Sequence, residues 1–173
     1  EGNTRTRDKV LRRECRIQEG TLLNMGAIKG SLFKVNQLGY FKLNEEDPFT
    51  FENFDTEKKT VDVKVKGAES DRTELQVGAG WSETYGFFGQ LSVRTQNFLG
   101  RGETVGLSFQ SGRYQDEYGL SYFIPWWLDR PQSIGLQLFK SDLNYSQYTT
   151  QQSERKSEGA VLTYGRNFGL FGS

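Results

Sequence analysis

The part of the chain from residue 73 onward alternates apolar and polar positions with a period of two. Because successive side chains of a β-strand point to opposite faces, each such segment predicts a strand with one apolar and one polar face. We find no helical spacing in this part. Five segments alternate cleanly, and a sixth, EGAVLTYG, fits less well. The apolar positions of the first five are Leu75, Val77, Ala79 and Trp81; Leu91 and Val93; Val105, Leu107 and Phe109; Tyr118, Leu120, Tyr122 and Ile124; and Ile134, Leu136 and Leu138.

The connections between these segments differ in length. They include the tight glycine turn FLGRG, the proline-containing PWWLDRP and the long polar link DLNYSQYTTQQSERKSE. Outer-membrane barrels carry short turns on one side and long loops on the other, and strand parity places the first two connections on the same side. We therefore predict antiparallel strands of a transmembrane β-barrel. A soluble β-sandwich also alternates, but it seldom pairs an aromatic-rich apolar face with such a Gly-rich polar face.

The first part of the chain, to about Asp47, has helical spacing instead. Thr6 is the predicted N-cap of a first helix, whose apolar stripe includes Val10, Leu11 and Cys15. A second helix is predicted to begin near Asn24 and to stop at Gly39. One face of this second helix carries Ile28, Leu32, Val35 and Leu38.

Two strands are predicted after the helices. The residues around Phe41 lead into an acidic stretch, and TVDVKVK then alternates strictly, with Val61, Val63 and Val65 on one side. The order helix, helix, strand, strand predicts a small α+β module over residues 1–69. The barrel strands are then expected over residues 70–173.

The composition mainly excludes certain classes of function. The 22 basic residues balance the 22 acidic ones, so no basic excess indicates a nucleic-acid partner. With no His and one Cys, the sequence has no Ser-His-Asp triad, no His-based zinc site and no internal disulfide. The acidic run Glu45, Glu46 and Asp47 resembles half of a Ca²⁺ site, but no nearby loop supplies enough further ligands. We therefore expect no cofactor, no metal and no chemical reaction.

Two stretches resemble the BamA-type outer-membrane protein assembly factors. The first is EGNTRTRDKVLRREC, with Glu19–Gly20 and with LGYF at Leu38–Phe41, and it is similar to the membrane-proximal POTRA modules of that family. The second contains GAGWSETYGF, QNFLGRGETVGLSF and a strand that ends in IPWW, and it is similar to the family's first barrel strands. The resemblance weakens after about Lys140. It implies a fragment, because a POTRA module opens with a strand, here truncated at Glu1, and a family barrel has more strands than these six.

The resemblance implies a function in the assembly and insertion of β-barrel proteins into the bacterial outer membrane, with the POTRA module in the periplasm. The implied partners are unfolded outer-membrane β-barrel proteins, assembly lipoproteins and the lipid bilayer. In the family the first barrel strand pairs with a client strand, which is β-augmentation, and here that strand comprises Leu75, Gln76, Val77, Gly78, Ala79, Gly80 and Trp81. A family acid before a loop glycine helps to dock a lipoprotein, which implicates Glu19 with the nearby Arg12, Arg13 and Arg16.

Several alternatives stay open at the level of sequence. The chain fits a two-partner-secretion or other POTRA-barrel transporter, an unrelated outer-membrane porin, or a soluble β-rich binding module. The segment from Leu75 to Trp81 fits an ordinary barrel strand, with glycine where the interior needs space. Glu19 fits a solvated acid in a loop, since an exposed ion pair contributes under about 1 kcal/mol.

Overall fold

The computed structural model describes residues 1–17, 19–70, 72–83, 86–144 and 154–166. The chain divides into two compact units. Unit 1 comprises Glu1–Arg72 together with Leu99–Gly102, and unit 2 comprises Thr73–Phe98 together with Glu103–Ser173. Among the described residues, no helix combines the length and the apolar character needed to cross a bilayer.

Unit 1 contains two helices, α1 over Asp8–Arg12 and α2 over Met25–Gln37. The side chain of Asn24 caps α2 by accepting hydrogen bonds from the backbone N–H groups of Gly26 and Ala27. Gly39 follows the helix with a left-handed φ of 77°, a conformation that glycine adopts without steric cost. Both predicted ends of α2 are therefore confirmed. So is its inner face, because Ile28, Leu32 and Val35 are buried.

The strands of unit 1 form one interrupted hairpin. β1 (Phe41–Leu43) pairs with β4 (Gly67–Glu69), and β2 (Phe49–Asp55) pairs with β3 (Thr60–Val65), both antiparallel. Between the two pairs, the N–H of Asn44 donates to the carbonyl of Lys66, and the N–H of Lys66 donates to the carbonyl of Pro48. The core of this unit contains Val10, Val35, Tyr40 and Phe41.

The turn Leu99–Gly102 packs within unit 1. The N–H of Arg7 donates to the carbonyl of Gly100 at 2.9 Å, and the Arg13 guanidinium donates to the carbonyl of Arg101 at 3.1 Å. Gly102 has φ 74°, and a Cβ there would lie 2.6 Å from Nη2 of Arg13 and 3.0 Å from the Tyr40 hydroxyl. The glycines of FLGRG thus serve both the turn and a close approach to neighbouring residues.

Unit 2 is a six-stranded antiparallel sheet in which the strands follow chain order. This agrees with the six predicted strands. The strands are β5 (Thr73–Ser82), β6 (Gly86–Phe98), β7 (Glu103–Gly112), β8 (Gln115–Ile124), β9 (Gln132–Asn144) and β10 (Glu154–Arg166). A turn of 3₁₀ helix over Trp127–Asp129 lies between β8 and β9.

The two faces of the sheet differ as the sequence predicts. One face, the apolar face, carries exposed Leu, Val, Phe, Tyr and Trp side chains, and the other, the polar face, carries mainly Gln, Ser, Thr and Gly. Rows of directly paired residues cross the sheet. One row of the apolar face contains Val77, Leu91, Phe109 and Tyr118 and then continues into Lys140 and Glu158.

Two predictions are wrong. Thr6 does not cap α1, because the helix begins at Asp8 and Arg7 occupies the N-cap position. The side chain of Thr6 hydrogen-bonds the carboxylate of Glu69 instead. The link after the fifth barrel strand is shorter than predicted, because β9 continues to Asn144 and β10 begins at Glu154. Polar and charged cross-strand pairs extend the ladder beyond the apolar segment. The rest of that link, residues 145–153, lies outside the described residues.

Candidate functional site

All seven residues of the predicted client-binding strand lie in β5. This strand pairs with β6 without a break, from Thr73 opposite Thr95 to Ser82 opposite Gly86. Within the described part of the chain β5 has a neighbouring strand on this side only. β5 and β10 are thus the two outer strands of the described sheet.

The apolar face of β5 is strongly exposed. Leu75 is 64% exposed, Val77 75% and Trp81 60%, more than most apolar residues of the neighbouring strands. Ala79 completes this face, while Gln76, Gly78 and Gly80 lie on the polar face. An edge strand with an exposed apolar side is suited to pair with a strand that carries the same alternation.

The glycines of β5 are covered by side chains of β6. Gly80 lies opposite Phe88 and Gly78 lies opposite Gln90. A Cβ at Gly80 would be 2.6 Å from Cζ of Phe88, and a Cβ at Gly78 would be 2.8 Å from Nε2 of Gln90. The space that glycine leaves is therefore filled from the neighbouring strand, as when an aromatic side chain packs over a cross-strand glycine. Sequence periodicity places Phe88 and Gln90 on the polar face, but only the hairpin register brings them over these glycines.

The predicted partner-binding residues do not form a single cluster. Nη1 of Arg12 lies 2.8 Å from Oε1 of Glu19, and Nε of Arg12 lies 2.6 Å from Oδ2 of Asp8. The side chain of Glu19 is 91% exposed. Glu19 and Arg12 thus share an exposed ion pair at the end of α1.

Arg13 and Arg16 point to other parts of unit 1. Arg13 donates to the carbonyl of Arg101, and its guanidinium lies beside Gly102 and Tyr40. The backbone N–H of Arg16 donates to the hydroxyl of Ser31 at 2.7 Å, and its side chain lies near Gly30 in α2. Of the predicted partner-binding arginines, Arg12 is the one with an ion pair to Glu19.

Glu69 is a structural residue that the sequence did not reveal. Its carboxylate accepts hydrogen bonds from the backbone N–H groups of Arg5 and Thr6 and from the hydroxyl of Thr4. Burial raises the pKa of this carboxyl, but the hydrogen bonds from Thr6, Thr4 and Arg5 outweigh burial and hold the pKa at about 2. Its donors lie more than sixty positions away in the chain, so no local sequence motif predicts these hydrogen bonds.

Two other ionisable groups of unit 1 are shifted by burial. Burial raises the pKa of Tyr40 to about 12, against the opposing effect of nearby Arg13. Burial also raises the pKa of the Cys15 thiol, which is half-buried beside the core, as expected of a small packing residue. In the described residues no group of three His, Cys, Asp or Glu side chains is arranged to hold a metal ion.

Two family models match the chain, and each matches a different part. Residues 1–69 match the surface antigen variable number repeat, known as POTRA, and residues 97–172 match the Omp85 superfamily domain. The two matches follow each other in the same order as the two folding patterns seen in the sequence.

Curated relatives named as the outer membrane protein assembly factor BamA are similar to the chain. The relative from Neisseria meningitidis is 28% identical over 98% of this chain and 22% of its own length. The relative from Nitratidesulfovibrio vulgaris is 32% identical over 65% of this chain and 14% of its own length. The chain therefore spans about a fifth or less of the length of these relatives.

A solved structure is also similar. The crystal structure of BamA from Haemophilus ducreyi lacking POTRA domains 1–3 superposes with a TM-score of 0.80 at 27% identity. The match covers 95% of this chain and 30% of that chain. It therefore includes both units of the fold.

Proposed function

The chain belongs to the BamA-type proteins of the Omp85 superfamily, and on this premise we propose that it takes part in assembling β-barrel proteins into the bacterial outer membrane. Its location is the outer membrane, with the POTRA repeat in the periplasm. The proposed activity is the templating of a folding strand, and it involves no chemical reaction.

The observation that carries the proposal is the strongly exposed apolar face of β5, the first strand of the sheet. An incoming client strand pairs with the outer edge of this strand through backbone hydrogen bonds, which are largely independent of side-chain identity. In lipid each unsatisfied backbone polar group costs on the order of several kcal/mol. Capture of a client strand relieves this cost, so the edge accepts clients of many sequences.

The exposed side chains of β5 support the same mechanism. Leu75, Val77 and Trp81 lie on the apolar face, and a client strand in register places its own apolar side chains beside them. The joined strands then continue one membrane-facing surface. The relatives named above are all assembly factors, which favours assembly over export of a single client.

The ion pair of Glu19 and Arg12 is the proposed contact for an assembly lipoprotein. Glu19 is exposed and already holds a guanidinium at 2.8 Å, so a cationic side chain of a partner can join or replace Arg12. Arg13 and Arg16 lie elsewhere and are proposed to act on this surface only indirectly, through the packing of unit 1.

Disulfide cross-linking tests the templating mechanism. In the full-length protein that contains this chain, Val77→Cys and Ala79→Cys are expected to cross-link to a single cysteine in the terminal strand of a client barrel protein. Leu138→Cys is the matched control, because Leu138 lies on the same face in β9, which has a strand on each side. Equal yields at Leu138, or cross-links from polar-face and loop positions alone, would contradict the proposal.

A further inference from the structure

We infer that Phe88 and Gln90, which lie on the second strand of the sheet, contact the client strand directly across the gaps left by Gly80 and Gly78. The inference rests on the proposed pairing of a client with β5. It adds the side chains that select the client, since backbone pairing alone selects none.

The geometry of β6 supports this contact. The phenyl ring of Phe88 extends over the edge strand until its tip, Cζ, is 2.6 Å from the position of a Cβ at Gly80. The carboxamide of Gln90 reaches over Gly78 in the same way, at 2.8 Å. Both side chains therefore lie over glycines of β5 on the polar face.

An added strand lies within reach of these side chains. Neighbouring strands are about 4.7–4.9 Å apart, and directly opposed Cβ atoms are about 4.5–5.5 Å apart. Apolar side chains are in contact when heavy atoms approach within about 4.0–4.5 Å. Because glycine places no side chain between them, the tip of Phe88 meets the client residue opposite Gly80.

The chemistry of the two side chains defines the client strand that fits. Phe88 presents an aromatic ring and favours an aromatic or aliphatic residue opposite Gly80. Gln90 presents donors and an acceptor and favours a polar residue opposite Gly78. The preferred client thus carries, on its polar face, an apolar and a polar residue two positions apart.

The sheet contains its own matched control. In β9, Phe139 covers Gly159 of β10, where a Cβ would be 2.7 Å from Cζ of Phe139. The local geometry is that of Phe88 and Gly80, but β9 and β10 lie at the other side of the sheet from β5. A client strand that pairs with β5 therefore contacts Phe88 and not Phe139.

Photo-cross-linking tests the inference in the full-length protein reconstituted in phospholipid vesicles. The photoreactive residue p-benzoylphenylalanine replaces Phe88 or Phe139, and the probe is a biotinylated peptide with the terminal strand of an outer-membrane β-barrel protein. We expect a cross-link from position 88 and several-fold less from position 139. Disulfide cross-linking of Val77→Cys to a version of the same peptide that carries a single cysteine is run in parallel, as the measure of strand pairing itself.

The outcomes separate the inference from the proposed function. A cross-link from Val77→Cys without one from position 88 overturns the inference and leaves strand templating standing. Loss of both signals counts against templating itself and removes the inference with it. Equal cross-linking at positions 88 and 139 also overturns the inference, because the peptide would then lie against the polar face at large.

A pair of substitutions gives a second measurement. Phe88→Ala is expected to weaken peptide binding by up to about fivefold, whereas Phe139→Ala leaves it unchanged. Heat-modifiable gel mobility shows whether each variant is folded. If Phe88→Ala does not fold, the photoreactive variant still decides, because it keeps an aromatic ring over Gly80. Binding that is unchanged in a folded Phe88→Ala variant overturns the inference.

Discussion

The carboxylate of Glu69 accepts the backbone N–H of Thr6, although the two residues are 63 positions apart in the chain. The same carboxylate accepts the N–H of Arg5 and the hydroxyl of Thr4. One side chain at the end of β4 therefore fixes the segment that leads into α1.

Replacement of Glu69 by Gln is predicted to destabilise unit 1 by about 1–2 kcal/mol, because a carboxylate with several donors becomes an amide with one acceptor oxygen. The measurement is hydrogen-exchange protection of the amides of residues 5 and 6. Exposed Glu46 provides the control, since Glu46→Gln should leave their protection unchanged.

The same contact predicts a pH dependence. The pKa of Glu69 is about 2 in the folded protein and near 4.5 in an unfolded chain, so the unfolded chain takes up the proton first. The stabilisation is complete above pH 4.5 and is lost as the pH falls from 4.5 toward 2. Protection of these amides should decline over that window in the wild type and stay flat in Glu69→Gln. A decline of equal size in both would show that other groups control it.

Substitution of Gly102 by Ala is predicted to destabilise unit 1 by about 1–3 kcal/mol. The backbone at this position has a left-handed φ, which strains any residue other than glycine. The new methyl group would also lie 2.6–3.0 Å from atoms of Arg13, Tyr40 and Val10. Gly20→Ala is the control, because Gly20 has a similar φ of 78° but no atom within 4 Å of the added Cβ. Hydrogen exchange of the α1 amides should show the larger effect for Gly102→Ala. Equal effects would mean that backbone strain alone acts.

Tyr122→Phe is predicted to destabilise the sheet by about 1–3 kcal/mol. The Tyr122 hydroxyl donates to the carboxylate of Glu103, which is only 9% exposed, so the substitution removes a donor from a buried acceptor. Tyr118→Phe is the control, because Tyr118 is 49% exposed and its ring packs 5.1 Å from that of Phe109 without needing the hydroxyl. The temperature at which heat-modifiable mobility is lost should fall for Tyr122→Phe alone.

Glu19→Lys is predicted to weaken binding of an assembly lipoprotein while changing folding stability by less than about 1 kcal/mol, because its ion pair is exposed. Co-purification of the lipoprotein at low and high salt is the measurement. Asp8→Asn removes the other partner of Arg12 and should leave co-purification unchanged. A similar loss in both variants would indicate that the position of Arg12, and not Glu19, matters.

Local signals in the sequence predicted much of the fold. Asn24 caps α2 by accepting from N–H groups two and three residues away, and Gly39 ends the helix through its own backbone conformation. Both ends can therefore be predicted from a few consecutive residues. The six strands could be predicted because the alternation of apolar and polar residues within a single strand already indicates its two faces. These features need no knowledge of distant partners.

The features that sequence reasoning missed depend on pairing between distant residues. Thr6 fits an N-cap locally, yet α1 has Arg7 at its N-cap and the side chain of Thr6 hydrogen-bonds the distant Glu69. The glycines of β5 fit positions where the interior needs space, but only the hairpin register shows that Phe88 and Gln90 fill that space. Glu19 and three arginines are close in sequence, but their side chains lie apart: Arg12 pairs with Glu19, Arg13 bonds Arg101 and Arg16 lies near Gly30.

The row that runs from Val77 through Tyr118 into Lys140 and Glu158 constrains how the sheet lies in the bilayer. If the strands stood upright, every residue of this row would sit at one depth, and hydrocarbon would meet a lysine and a glutamate. Strands inclined by about 35–45°, as barrel closure requires, carry the row obliquely through the membrane, so its charged end emerges into headgroups while its apolar end stays immersed.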